Sequence, residues 1–118
     1  MPRTRSPKYT HLLLEFRGCS AERLNDRAAI RRLLDKAAAS CSLHVLHRRI
    51  HAFAPHGLTG YVLLRESHIS IHTWPELQFA LLDVLSCAPL NRTELVSCVQ
   101  EQLRAPPPSA RRPRPRVV

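Results

Sequence analysis

Residues 68–73 set the tightest limit on the fold. Ile69 and Ile71 alternate with His68, Ser70 and His72, a period of two. That period puts the isoleucines on one face of a strand and the polar groups on the other. Such a strand belongs in a sheet packed on one side, and its polar face is a rigid platform for a site. Pro75 ends it, because proline cannot donate to a ladder. The surrounding stretch, Arg65 to Glu76, is also the densest in reactive groups. A carboxylate, Glu66, precedes a hydroxyl, Ser67, and two imidazoles follow within five residues.

The rest of the chain supplies partners for this strand. His11 to Phe16 reads as a first strand, and Gly18-Cys19-Ser20 as a turn. A helix is expected from Ala21 to Ser40, with Ile30, Leu33, Leu34, Ala37 and Ala38 as its buried stripe. Leu43 to His51 and Thr59 to Glu66 read as further strands, separated by a turn at Ala54-Pro55-His56-Gly57. Only Glu66-Ser67 lies between the third strand and the fourth, which predicts a tight hairpin or one strand bent sharply at the serine. Phe79 to Cys87 is a fifth strand, with a helix as the competing reading. Asn91 can cap a second helix, with Glu94 three residues on and Leu95, Val99 and Leu103 as its stripe. The order β-α-β-β-β-β-α predicts an α+β fold: a two-layer sandwich of an antiparallel sheet with two helices on one face. Dimerisation would complete the sheet or cover its other face.

The net charge of +9 suggests nucleic acid until it is located. Residues 1–8 carry +3 and residues 104–118 carry +5, so the body is almost neutral at +1. Binding of nucleic acid is therefore not expected except through the tail. Five of the ten prolines lie after Leu103, alternating with arginine at the end, so residues 105–118 are expected to be disordered. The expected division is a flexible basic stretch at 1–10, a domain at 11–104 and that tail. Cys19, Cys41, Cys87 and Cys98 form no CxxC pair, which argues against a zinc ribbon or a thioredoxin-type motif. No stretch reads as a signal peptide or spans a bilayer, so a cytoplasmic protein with reduced thiols is expected.

Ser67 poses the chemical question. Its hydroxyl can be a plain hairpin serine, or it can attack the carbonyl of Glu66 in an N-to-O acyl shift. The ester then eliminates, and hydrolysis leaves a pyruvoyl group. That route needs a strained bend, a base for the serine Cα proton and a donor for the oxyanion. Read from the residues alone, His72 is a histidine on a wet strand face, and a role as that base would have to bring it against Ser67. Residues five apart on a flat strand face opposite ways, so the bend at Ser67 would have to break the alternation. His68 and His72 share a face and suggest a zinc pair, but no third ligand is evident, and no metal is expected.

Three segments carry a resemblance. Glu66-Ser67-His68 through His72-Thr73-Trp74-Pro75-Glu76 resembles the self-cleavage motif of the short prokaryotic S-adenosylmethionine decarboxylases. His51 to Gly60 is similar to the family's H-x-F-x-P-x-G-x-S-G stretch, and Phe79 to Cys87 to its aromatic-A-x-x-D-V-x-x-C segment. His11 to Phe16 is similar to its first strand. The resemblance covers residues 11 to about 103.

It implies a pyruvoyl-dependent lyase that decarboxylates S-adenosylmethionine and so supplies aminopropyl groups for polyamine synthesis. Cleavage falls between Glu66 and Ser67, and the pyruvoyl group made from Ser67 holds the substrate amine as a Schiff base. His72 is the processing histidine and Cys87 the proton donor. Phe53 stacks on adenine and Glu76 lies near the ribose, although from sequence alone they read as core and surface charge. Thr59 stands where the family usually has serine, and is expected to bond the Glu66 carbonyl. The partners implied are S-adenosylmethionine and a second copy, in a homodimer of cleaved protomers with sites at or near the interface. The family often has a further C-terminal strand where this chain has Arg-Pro. Two rivals stand beside this reading: an arginine or ornithine decarboxylase of the same kind, and a non-enzymatic relative that binds through its basic tail.

Overall fold

The computed structural model describes residues 5–111. The strands are β1 (Thr10–Arg17), β2 (Val45–Ala52), β3 (Leu58–Leu64), β4 (Ser67–Trp74), β5 (Phe79–Ser86) and β6 (Ser109–Arg111). The helices are α1 (Ala21–Leu24), α2 (Arg27–Ser40) and α3 (Arg92–Leu103), and a 3-10 turn covers Pro75–Leu77. All six strands join one antiparallel sheet in the order β2-β3-β4-β5-β1-β6. The alternation in β4 holds as expected, and β4 is an interior strand between β3 and β5.

One face of the sheet is covered by the helices. Phe16, Leu14, Val62, Ile69, Ile71, Leu82 and Val84 meet Leu24, Ile30, Leu33, Leu34 and Leu95 there, all essentially inaccessible to solvent. Each such side chain contributes roughly 1.5–3 kcal/mol through burial. The other face carries His11, Tyr61, His68, His72 and Trp74, and among the described residues no layer covers it. The fold is thus the two-layer α+β sandwich, with three helices rather than two. Phe79–Ser86 is a strand, because its alternate residues Ala80, Leu82, Val84 and Ser86 are buried and its two edges are taken by β1 and β4.

Three expectations need correction. The helix expected from Ala21 to Ser40 breaks at Asn25-Asp26. Ser20 caps α1 through the Arg23 amide, and Asp26 caps α2 through the Ala29 amide, so two starts are encoded in one stretch. The break leaves the Leu24 carbonyl without a helical partner, and the buried Thr73 hydroxyl donates to it at 2.8 Å. The Asn25 side chain in turn accepts from the Gly57 amide at 3.0 Å. Gly57 lies at φ +99°, and a Cβ there would stand 3.2 Å from the Thr73 carbonyl oxygen.

The tail is the second correction. Ser109–Arg111 pairs with Leu13–Glu15 as β6, so the edge of β1 is not bare. Residues 112–118, and residues 1–4 at the other end, lie outside the described residues. The third correction concerns Ser67. It opens β4 in step with the strand, buried on the same face as Ile69, Ile71 and Thr73, and the alternation runs unbroken to His72. No described helix is long and apolar enough to cross a membrane.

Candidate active site

β3 and β4 form a hairpin closed by the Leu64–Ser67 pair, with Arg65 and Glu66 as its two-residue loop. Such short hairpins need left-handed backbone in the loop, a region that glycine or asparagine usually fills. Here Glu66 takes it, at φ +56°. A side chain in that region costs roughly 1–2 kcal/mol. The strained residue is the one whose carbonyl is linked to the Ser67 nitrogen. Ser67 is 6% exposed, and its Oγ accepts a hydrogen bond from the Cys87 amide at 3.2 Å. β5 therefore ends beside the hairpin, bringing Cys87 to Ser67. Cys87 is exposed. The other thiols are less accessible: burial pushes Cys19 up to about 11 and raises Cys41 and Cys98 above the ordinary thiol value.

A second group gathers at the far end of β4. Thr59 and His72 are paired across β3 and β4, and Thr59 Oγ1 lies 3.0 Å from His72 Nδ1. The Trp74 ring stands between His72 and Phe79, with centroids 6.4 and 5.5 Å away. Phe53, just past β2, is 51% exposed and packs against His51 with centroids 4.7 Å apart. Glu76 Oε2 lies 2.5 Å from His56 Nε2. These two line a cavity of about 660 Å³ with Asn25, Arg27 and Pro75.

The two groups do not meet. His72 is five residues along β4 from Ser67, about 17 Å at ~3.3 Å per residue. Phe53 and Glu76 lie beyond it, since Ala52 pairs with Leu58 and Glu76 follows Trp74. The structure thus unites Glu66, Ser67 and Cys87 at one end, and Thr59, His72, Phe53 and Glu76 towards the other. Two readings of the sequence change with this. Thr59 bonds His72, not the Glu66 carbonyl. Phe53 is exposed rather than part of the core. His68 and His72 are four residues apart, about 13 Å, too far to share a zinc ion. Among the described residues no cluster of three His, Cys, Asp or Glu groups is placed to hold a metal.

Sequence reasoning also passed over His56, His11 and Asp83. Asp83 had a signal: it is the one charge in an otherwise apolar strand. Its carboxylate accepts from His11 and His68.

The family model described as S-adenosylmethionine decarboxylase matches residues 10–112. The chain belongs to the S-adenosylmethionine decarboxylase family. The match includes β6, so the last strand lies within the family's range rather than in an appended tail. A relative from Methanococcus maripaludis strain S2, called S-adenosylmethionine decarboxylase proenzyme, is 44% identical over 77 residues, covering 65% of this chain and 63% of the relative. Proteins of the same name from Methanococcus aeolicus and Parasynechococcus marenigrum are 36% and 42% identical, covering 80% of this chain and 81% and 75% of theirs. The crystal structure of the adenosylmethionine decarboxylase from Aquifex aeolicus is 31% identical. It superposes with a TM-score of 0.78, covering 91% of this chain and 89% of that one.

Proposed function

We propose that this chain is a proenzyme that cuts itself between Glu66 and Ser67 and then decarboxylates S-adenosylmethionine, supplying aminopropyl groups for polyamine synthesis. One observation carries the reading. A serine sits at the exit of a hairpin whose left-handed residue is Glu66, with the Cys87 backbone against its hydroxyl.

In this reading the Ser67 oxygen attacks the Glu66 carbonyl carbon, and the amide C–N bond breaks to leave an ester. Strain at Glu66 lowers the cost of distorting that peptide. Loss of the Ser67 Cα proton then expels the Glu66 carboxylate, taking the serine oxygen with it. Water releases ammonia and leaves a ketone at position 67. The residues present fit a pyruvoyl group there: the hydroxyl that makes it is in place, and the backbone of Cys87, an exposed cysteine, is bonded to it. When formed, that group supplies a carbonyl that takes the substrate amine and draws electrons as carbon dioxide departs. Cys87 returns a proton to the substrate carbon.

His72 is the base for the Ser67 Cα proton, and Thr59 fixes its ring through Nδ1. Phe53 offers an aromatic face to the adenine and to the sulfonium cation, and Glu76 meets the ribose. These four stand too far from Ser67 to serve it within one protomer. The reading therefore requires a homodimer in which the uncovered sheet faces meet and each site takes Ser67 and Cys87 from one protomer and His72, Thr59, Phe53 and Glu76 from its partner. Exposed Phe53, Tyr61, Leu63 and Trp74 suit such a contact. Four unpaired thiols suit a cytoplasmic setting.

The test is the mass of the denatured, purified protein, together with release of labelled carbon dioxide from S-adenosylmethionine, arginine and ornithine. Chains of residues 1–66 and 67–118, with S-adenosylmethionine consumed, are expected. A single full-length chain, or turnover of arginine or ornithine alone, overturns the reading.

A further inference from the structure

Self-cleavage has a structural consequence at the start of β4. In the uncut chain, residue 67 is held covalently by Glu66 and by the Cys87 amide on its hydroxyl. Cleavage removes both. The peptide bond is broken, and the serine oxygen leaves with Glu66. Residue 67 becomes a chain end, and strand ends fray unless they are tied down. Yet the carbonyl at this position has to be held in one orientation for catalysis.

The next residue supplies a tie. His68 Nε2 lies 3.2 Å from Asp83 Oδ2, while His11 Nε2 lies 2.5 Å from Asp83 Oδ1. Asp83 is on β5, between β4 and β1, so a single carboxylate is gripped from both neighbouring strands. With both oxygens engaged, its side chain cannot turn away from His68 without losing His11. All three groups stand on the uncovered face and are about one-third exposed or less buried than the core, with side-chain exposures of 34%, 28% and 37% for His11, Asp83 and His68. None of the steps given above uses them.

We infer that Asp83, braced by His11, is a positioning residue: it holds His68, and through it the residue 67 carbonyl, once the chain has been cut. This rests on the proposed self-cleavage. Its action is specific to the cut state, because in the proenzyme the hairpin already holds residue 67.

The test compares Asp83→Asn in two backgrounds. In the otherwise native chain, cleavage proceeds, kcat falls about 10- to 100-fold, as a misplaced reacting group causes, and KM changes little. Hydrogen exchange at the amides of 68–71 rises relative to the cut native protein. In the Ser67→Ala chain, which stays whole, the same substitution leaves that exchange unchanged. His11→Gln, which keeps the His68 bond and removes only the brace, gives the same pattern with a smaller loss of kcat. It carries the test if Asp83→Asn does not fold. Native kcat in these variants, or exchange that rises equally in both backgrounds, overturns the inference. A native protein that never cleaves ends the proposed function and this clamp together, and is read from mass alone. A native protein that cleaves and turns over beside unaffected variants ends only the clamp.

Discussion

β4 has two ends with different chemistry. At its start, Ser67 points into the helix layer and is almost wholly buried, held by the backbone of Cys87. Towards its finish, His72 points to the uncovered face, held by Thr59 and followed by a half-exposed Trp74. The first end has a strained backbone and a nucleophile, and its histidine, His68, is engaged by Asp83. The second has an imidazole and aromatic rings but nothing to attack. A straight strand keeps them about 17 Å apart by its rise per residue, whatever the side chains do. The difference shows that a single protomer does not bring its nucleophile and this imidazole together.

The largest expected effect tests that division. Ser67→Ala alone stays uncut and inactive, and His72→Ala alone is uncut or nearly so. Co-expressed, the two restore cleavage and activity, because a mixed dimer contains one site with Ser67 from one protomer and His72 from the other. Absence of any recovery, with mixed dimers shown to form by tagged pull-down, breaks the comparison and returns both residues to one protomer.

The two ends were not equally legible. The alternation of Ile69 and Ile71 was enough to place β4, whereas the apolar run 79–87 left strand and helix both open, because a run with apolar residues on both faces has no period to decide between them. The reactive residues could be named from their segments. Their separation was missed because a bend was expected at Ser67, where the strand instead runs on unbroken to His72. Phe53 was misjudged because an aromatic ring signals burial, whereas this one lies just past the end of an edge strand and stays exposed. The break at Asn25-Asp26 was missed because the stripe from Ile30 onward continues the same helical period, and the cap at Asp26 was the only mark of a second start. β6 was missed because prolines flank it; Ser109, Ala110 and Arg111 themselves keep their amides and can join a ladder.

Cys87→Ala sharpens the comparison from the cleavage end. The thiol acts after maturation in the proposed scheme, so the chain still cuts, and the decarboxylation rate falls about 100- to 10,000-fold, the range for loss of a general acid. Uncut Cys87→Ala protein would show that the thiol belongs to processing instead. Thr59 probes the other end with a smaller effect. Thr59→Val removes the hydroxyl from His72 and slows maturation about two- to tenfold, the worth of one hydrogen bond. Thr59→Ser keeps that bond, loses the methyl, and matures at least as fast as the native chain. Timed mass measurements on freshly translated protein separate the two.

The smallest effect contrasts the thiols at the two ends. Cys19 sits beneath the aromatic end, its backbone exchanging hydrogen bonds with Gln78, and its side chain is fully buried. Burial pushes its thiol from 9.0 to about 11, whereas Cys87 at the cleavage end is exposed. In the unfolded chain Cys19 loses its proton near the ordinary thiol value, while the folded chain retains it. Between about pH 9 and 11 the folded state therefore binds more protons than the unfolded state, and stability falls as pH rises. That contribution is complete below pH 9 and lost through the folded value. The urea midpoint should drop across this window, and Cys19→Ala should flatten the drop even though it lowers stability at neutral pH. A slope that is identical in native and Cys19→Ala protein assigns the alkaline loss to other groups. At pH 8 in the native state, iodoacetamide should label Cys87 well before Cys19, because an alkylating agent needs both access and thiolate, and Cys19 offers neither.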